Sequence, residues 1–228
     1  DGSSDGCCSD LCGITGEGGK VEGSRDLREH AVPGKPRRAA MYVVMIGRPG
    51  VGKGTQAKRL GDELRVSRIS TGEMLRETIR SGGDDNQQIA ASINGGNLAA
   101  DDVIMKLVEK RLAEPEFEHS CLFDGIPRTV TQAVALDELL GRRNSKIEVA
   151  IEISADVEEL VARILERAKI ENRADDNLKA IRQRMEVYTQ STEPILEYYR
   201  ERGILSTVDG SGPRDTVFAR IMSCLEDR

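Results

Sequence analysis

A lysine set among four glycines is the strongest candidate for chemistry in this sequence of 228 residues. The stretch GRPGVGKGTQ, residues 47–56, follows a short apolar run and precedes residues that favour a helix. Glycine lets successive backbone N–H groups turn toward one point, where the helix start adds the positive end of its dipole. The pattern therefore predicts a loop that binds a nucleoside phosphate, with Lys53 exposed in the empty loop and free to neutralise the terminal phosphates.

An aspartate and two polar residues form a second candidate group. CLFDGIPRT, residues 121–129, is an apolar strand pattern that ends at Asp124. A carboxylate at the end of a strand beside a phosphate loop can hold Mg²⁺ through water, because this ion keeps several waters and takes few protein ligands. Gln132 follows Arg128 by four residues, so one helix face carries a group for an anion and a group for a base edge. The alternatives are a helix cap or turn residue for Asp124 and surface positions for the other two.

Arginines form the third group. Arg163 and Arg167 are spaced for one helix face, Arg173 follows a short polar break, Arg184 lies further on, and Arg76 ends the stretch ISTGEMLR. Each of them, taken alone, is better explained as a solvated, ion-paired surface residue. Phosphoryl transfer, however, needs little beyond aligned reactants and positive charge around the moving group. An arginine-rich helical hairpin near a phosphate loop supplies that charge.

Strand-like and helix-like segments alternate beyond residue 40. Strands are predicted at 42–46, 121–123, 147–153 and 204–208, with a weaker one at 68–70. Helices are predicted at 101–113, 130–140, 156–168, 177–189, 191–202 and 213–225. The alternation predicts an α/β fold, a parallel sheet covered by helices on both faces, in one main domain at 41–228. The ligand crevice of such a sheet lies outside the carboxyl ends of its strands.

Composition limits the partners. The net charge of -6 argues against nucleic acid and anionic membranes as partners. With 3% aromatic residues, the chain also has few side chains on which the bases of a single strand could stack. No apolar stretch approaches the roughly 20 residues that a membrane span needs. These features predict a soluble protein.

Residues 1–40 differ from the remainder, since they are rich in glycine, serine and charge and lack apolar periodicity. They are expected to form a flexible extension without a signal or transit pattern. Cys7, Cys8 and Cys12 lie there, and Cys121 and Cys224 lie in the body. A metal site from the first three is an alternative, but their spacing matches no common zinc framework. An odd number of cysteines, in two groups far apart in the sequence, favours free thiols in a reducing compartment, here the cytoplasm.

Taken together, these segments resemble the adenylate kinases, the P-loop nucleoside monophosphate kinases that transfer a phosphoryl group between ATP and AMP. The resemblance covers about residues 41–227 in unbroken order, and G-K-G-T is the family's own form of the phosphate loop. It is carried by GRPGVGKGTQ, ISTGEMLR, DGIPRTVTQA, the 163–176 segment, Arg184 and VDGSGP.

The resemblance implies roles for individual residues. ATP would be bound by Gly50, Val51, Gly52, Lys53, Gly54, Thr55, Arg167 and Gly212. AMP would be bound by Thr71, Arg76, Asn97, Leu98, Ala99, Gly125, Ile126, Pro127, Arg128, Gln132, Arg173 and Arg184. The catalytic residues would be Lys53, Arg128, Arg167, Arg173 and Arg184. Asp124 would orient Mg²⁺ through water, and Gln132 would read the adenine edge.

The resemblance also implies a monophosphate-binding segment at about 70–99 and a short lid at about 166–176. The lid is too short for the zinc knob of long-lid relatives and contains neither Cys nor His, so no zinc is expected; the enzyme is expected to be a monomer. Three departures from the family pattern affect turnover and fine specificity. They are Ala99-Ala100 for Val-Pro, Ile126 for Phe, and Glu166 for Gly beside Arg167.

Three other functions of nucleotide-binding proteins make different demands on the sequence. A regulatory GTPase requires an N-K-x-D stretch, and the sequence has none. A pyrimidine monophosphate kinase typically carries Asn where Gln132 stands. A sensor that binds AMP and ATP without turnover is consistent with Glu166 beside the arginine clamp, and an assay for ADP formation separates it from the kinase.

Overall fold

Five parallel strands form the framework of the protein. The computed structural model describes residues 41–81, 86–171 and 177–226, and no helix within these ranges is long and apolar enough to cross a membrane. The strands are β1 (Met41–Gly47), β2 (Arg68–Ser70), β3 (Ser120–Asp124), β4 (Val149–Ser154) and β5 (Leu205–Asp209). Their order in the sheet is β2-β3-β1-β4-β5.

Nine α-helices lie in the part of the chain that the structure describes. They are α1 (Lys53–Leu64), α2 (Thr71–Ser81), α3 (Asn86–Asn94), α4 (Asp101–Leu112), α5 (Val130–Gly141), α6 (Val157–Glu171), α7 (Leu178–Val187), α8 (Pro194–Glu201) and α9 (Arg214–Glu226). A 3-10 turn at Pro115–Phe117 precedes β3, and a π-helical turn at Tyr188–Thr192 joins α7 to α8. The predicted α/β class with a parallel sheet is confirmed.

The central strand β1 shows why the sheet is buried on both faces. Alternate residues of a strand point to opposite faces, and β1 is apolar at every position from Tyr42 to Ile46. Tyr42, Val44 and Ile46 pack with α2, α4, α5 and α8, whereas Val43 and Met45 pack with α1, α6 and α9. Two apolar layers therefore hold the sheet, as expected for parallel strands covered on both sides.

A crevice opens at the carboxyl ends of β1 and β3, which are neighbours in the sheet. Helix α1 leaves β1 and packs on one face through Ala57 and Leu60, while α5 follows β3 and packs on the other face through Ala133 and Leu136. Connections that diverge to opposite faces leave a gap between adjacent strand ends. The phosphate loop and Asp124 lie at this gap.

Several segments differ from the sequence prediction. Helix α6 continues to Glu171 and so includes the first half of the predicted lid, because residues 166–171 are good helix formers. Helix α3 was not predicted, since NQQIAASIN has only two bulky apolar residues to mark a face. The predicted helix at 177–189 ends as α7 at Val187 and passes into the π-helical turn. The predicted extension at 1–40 lies outside the described residues.

Candidate active site

One large cavity, of about 760 Å³, runs across the carboxyl ends of β1, β2 and β3. Sixteen of the residues proposed from the sequence line it. They are Gly50, Gly52, Lys53, Gly54, Thr55, Thr71, Arg76, Asn97, Leu98, Ala99, Asp124, Gly125, Pro127, Arg128, Gln132 and Arg184. Residues separated by more than 100 positions in the sequence are thus brought to one site.

The phosphate loop connects β1 to α1, which begins at Lys53. Gly50 has φ +85°, and a Cβ there would lie 2.7 Å from the carbonyl oxygen of Leu160, so only glycine fits. The expectation that Lys53 is exposed is wrong: the side chain is half-buried, and its ammonium donates to the carbonyl oxygens of Gly47 and, at 3.2 Å, Arg48. These acceptors hold the charge inside the curve of the loop.

Asp124 ends β3, and its carboxylate lies against the start of α1. A Cβ placed on Gly54 would be 3.5 Å from Asp124 Oδ2. The same oxygen accepts a hydrogen bond from Arg68 Nη1 at 2.9 Å, and Arg68 Nη2 donates to both carboxylate oxygens of Glu73 at 2.6 and 2.7 Å. Burial lowers the pKa of the Arg68 guanidinium, but its bonds and attraction to Glu73 and Asp124 raise it overall. Arg68 therefore stays charged and links β2, α2 and β3.

The turn after β3 brings three proposed AMP-site residues together. The hydroxyl of Thr71 donates to the carbonyl oxygen of Gly125 at 2.8 Å, and Arg128 Nε donates to the same oxygen at 2.9 Å. Gly125 has φ +82°, and a Cβ there would lie 2.8 Å from Thr71 Oγ1 and 3.1 Å from Arg128 Nη2. The missing side chain at Gly125 makes this close approach possible.

Gln132 lies in the cavity wall and is 2% exposed. Its Oε1 accepts from the backbone N–H of Arg128 at 2.7 Å, and its Nε2 donates to Asp101 Oδ1 at 2.7 Å. Asp101 Oδ2 accepts from the hydroxyl of Thr129 at 2.8 Å, and this hydroxyl caps α5 by accepting from the N–H of Gln132. A network of partly buried hydrogen bonds thus holds the amide in place.

The far wall of the cavity comes from the segment after α3 and from α7. Gly96, Asn97, Leu98 and Ala99 line it from one side, and Arg184 lines it from α7. Gln183 Nε2 donates to Asn97 Oδ1 at 3.2 Å, which joins the two segments. Ala99, a departure from the family pattern, is buried in the apolar layer.

Other proposed site residues lie elsewhere. The side chains of Val51 and Ile126 are buried in the two apolar layers and do not line the cavity, because their loops need apolar anchors there. Gly212 lies in the exposed turn between β5 and α9, away from the cavity lining. Arg173 and the side chain of Arg167 lie outside the described residues.

Sequence reasoning missed three residues that shape the site: Arg48, Arg68 and Asp101. The Arg48 guanidinium lies 5.0 Å from the centre of the Tyr188 ring and donates to Thr189 at 3.2 Å, which ties the phosphate loop to the π-helical turn. Arg68 was given only as part of a weak strand, and Asp101 only as the start of a helix. Apart from Glu73, which is five residues from Arg68, the partners Thr189, Asp124, Thr129 and Gln132 are 28 or more positions away in sequence, so no local signal could find them.

The residues around Asp124 fit a magnesium ion bound through water. A carboxylate is the ligand type that this ion prefers, and the Asp124 side chain faces the start of the phosphate loop, where Lys53 and Thr55 also line the cavity. Asp124 would hold the ion through its waters. The bound ion would neutralise charge on the ATP phosphates.

The parallel sheet, the glycine loop after its first strand and the basic cavity across the strand ends define a P-loop nucleotide phosphotransferase. The sequence model of the family described as Adenylate kinase matches residues 45–204. The chain belongs to the adenylate kinase family, and its reaction is the reversible phosphoryl transfer between ATP and AMP that yields two molecules of ADP.

Curated relatives agree with the family match. The chain is 44% identical over 186 residues to the adenylate kinase of Leifsonia xyli, an alignment that covers 82% of this chain and 94% of the relative. It is 41% identical to that of Stenotrophomonas maltophilia, over 82% of this chain and all of the relative. It is 43% identical to that of Thermus thermophilus, over 80% of this chain and 96% of the relative.

Proposed function

We propose that the glycine loop and Lys53 bind the phosphates of ATP while AMP occupies the part of the cavity beyond Asp124. The observation that carries this assignment is the arrangement around one cavity: the loop lies at one end, and Arg76, Arg128 and Arg184 line the remainder. Two phosphate-binding groups on one cavity let two nucleotides meet with their phosphates facing. Gly50, Val51, Gly52, Gly54 and Thr55 hold the triphosphate through the loop.

On the AMP side, Arg76 and Arg128 bind the monophosphate. Gln132 contacts the adenine edge, and Thr71 holds the Gly125 turn against the base. Asn97, Leu98 and Ala99 close over the base, and Ile126 and Pro127 shape the turn that carries Arg128. The buried Gln132 amide supports this role, since a buried polar group on a ligand cavity gives specificity through hydrogen bonds.

An oxygen of the AMP phosphate attacks the terminal phosphorus of ATP, a new P–O bond forms, and the bond to the ADP leaving group breaks. Lys53, Arg128 and Arg184, with Arg167 and Arg173 from the lid at about 166–176, stabilise the charge on the moving phosphoryl group. Residues at about 70–99 form the AMP-binding segment of the 41–228 domain. Gly212 meets the ATP adenine through its backbone.

Asp124 orients the Mg²⁺ that accompanies ATP, and no zinc is required. The enzyme works as a monomer in the cytoplasm, where free Cys121 and Cys224 persist as thiols. Burial raises the pKa of the Cys121 thiol far above its usual range, which leaves this thiol unreactive. Nucleic acid is not a partner.

A panel of monophosphates assayed with ATP and Mg²⁺ tests the proposal. AMP is expected to be the best acceptor, with CMP and UMP at least tens of times poorer in kcat/KM, because a single ring leaves part of the base site unfilled and a mismatched hydrogen bond, as with uracil, costs roughly 1–3 kcal/mol. Equal turnover of CMP or UMP would favour a pyrimidine kinase. Binding of AMP and ATP without ADP formation would favour a sensor.

A further inference from the structure

The carboxylate of Asp101 contacts the cavity wall from behind. Asp101 is the first residue of α4 and does not line the cavity, but its Oδ1 accepts a 2.7 Å hydrogen bond from Gln132 Nε2. On the other end of the same amide, Gln132 Oε1 accepts a 2.7 Å hydrogen bond from the Arg128 N–H. The amide is therefore held at both ends by protein groups.

These two partners permit only one orientation of the amide. An ionised carboxylate can only accept hydrogen bonds, and a backbone N–H can only donate them. Reversing the amide would place Oε1 against the Asp101 carboxylate and the NH₂ group against the Arg128 N–H. Both hydrogen bonds would be lost at a side chain that is only 2% exposed, so the reversed orientation is strongly disfavoured.

The fixed amide has hydrogen-bonding capacity left over. The NH₂ group has two hydrogens and the oxygen two lone pairs, and the residues that the structure describes use one of each. One donor and one acceptor remain, in a fixed order, on a residue that lines the cavity. Adenine presents a donor at its amino group and an acceptor at the adjacent ring nitrogen, whereas hypoxanthine, a ring of the same shape, presents the reverse.

We propose that Asp101 is a positioning residue for base selection: it fixes the Gln132 amide in the orientation that accepts adenine and rejects 6-oxopurines. The proposal rests on the assignment of the AMP base to the Gln132 side of the cavity. The same order of donor and acceptor suits cytosine and opposes uracil. Discrimination against UMP therefore includes a hydrogen-bond mismatch, whereas discrimination against CMP depends on ring size alone.

The test compares AMP with IMP, whose base differs from adenine in hydrogen bonding and hardly in shape. Values of kcat/KM for both acceptors, with ATP and Mg²⁺, are measured for the full chain and for D101A, D101N and D102A. D101A is expected to lower the ratio of kcat/KM for AMP to that for IMP by at least about tenfold, because the freed amide can turn. D101N is expected to keep the ratio within about threefold, since its oxygen still accepts from Gln132 and its NH₂ group can donate to Thr129.

D102A is the matched control. Asp102 lies in the same first turn of α4, is exposed, and pairs at 3.8 Å with Lys106, so its loss removes the same charge from the helix start without touching Gln132. The ratio of kcat/KM for AMP to that for IMP in D102A should equal that of the parent chain. If D101A lowers the melting temperature but keeps the parental ratio, Asp101 is merely structural and the proposal fails.

A second measurement covers the case in which D101A does not fold. The Gln132 NH₂ proton that bonds to Asp101, assigned through its loss in Gln132→Asn, should exchange slowly with solvent in the parent chain and in D101N, and rapid exchange in either would overturn the proposal. Wild-type failure to phosphorylate AMP would refute the proposed function itself. Phosphorylation of AMP with no preference over IMP would refute only the role of Asp101.

Discussion

The two ends of the cavity differ in the groups that form them. At the phosphate loop the chain presents mainly backbone, with positive φ at Gly50 and Gly52 and one cation, Lys53, held by carbonyl oxygens. At the proposed AMP end, side chains form the site through hydrogen bonds such as those between Thr71 and Gly125 and between Gln132 and Asp101. Backbone binds any phosphate, whereas side chains can distinguish one base from another.

Lys53→Met should have the largest effect, because it removes the positive charge that the phosphate loop presents to the cavity. The value of kcat is expected to fall by at least about 10²–10³-fold, the loss that follows removal of a group that stabilises charge in a transition state. The contacts with Gly47 and Arg48 also imply a loss of roughly 1–2 kcal/mol in the free energy of unfolding. Steady-state kinetics and denaturant unfolding measure the two effects.

Lys110→Met provides the control for Lys53→Met, since Lys110 is exposed in the last turn of α4, away from the cavity. Near-parental kcat is expected there. Near-parental kcat in Lys53→Met itself would show that the loop does not bind the reacting phosphates, and the contrast between the two ends would disappear.

Gly125→Ala tests the close packing of the AMP end. The positive φ and the 2.8 Å approach to Thr71 predict a loss of about 1–3 kcal/mol in the free energy of unfolding, together with a raised KM for AMP. The KM for ATP should change little, because the glycine loop is not touched. Calorimetry and kinetics with each nucleotide varied in turn give these values.

Gly141→Ala is the matched substitution for Gly125→Ala. Gly141 ends α5, and a Cβ there would meet nothing within 4 Å. Alanine should stabilise the protein by about 0.5–1 kcal/mol or leave its stability unchanged. If Gly125→Ala were equally harmless, close approach at the turn would not matter for the AMP site.

Arg68→Gln tests the link between the two ends. Arg68 and Asp124 are mostly buried, with side chains 17% and 11% exposed, so loss of the cation leaves a carboxylate poorly compensated. We expect a loss of about 1–2 kcal/mol in the free energy of unfolding. Glu73→Gln should lower the free energy of unfolding by less, because Glu73 is largely exposed. A larger loss in Glu73→Gln than in Arg68→Gln would show that the pair of Arg68 with Asp124 does not link the two ends.

Arg48→Ala should have the smallest effect. Its contact with the Tyr188 ring is partly exposed, and such cation–π pairs contribute about 0.5–1 kcal/mol. Tyr188→Phe keeps the ring and should retain most of that contribution. If thermal unfolding showed that Tyr188→Phe lowers the free energy of unfolding more than Arg48→Ala does, the tyrosine hydroxyl and not the ring would be the group that matters.

The sequence alone was sufficient to place the glycine loop between a strand and a helix and to predict most of the fold. Glycine spacing followed by lysine is a local pattern, and the uniformly apolar strand at Tyr42–Ile46 indicates a parallel sheet because both its faces must be buried. The order of segments also led to the family, which the match over residues 45–204 confirms. Strand and helix ends shifted by a few residues, since local signals there are weak.

The tertiary structure decided which groups hold the site residues in place. That Arg68 pairs with Asp124, and that Asp101 holds Gln132, depends on β2 lying beside β3 and on α4 packing against α5. A charged residue in a sequence has the same appearance whether it is solvated or buried against a partner. Only the packing of distant elements removes water from such a pair and gives it a role, which is why the orientation of the Gln132 amide could not be read from the chain.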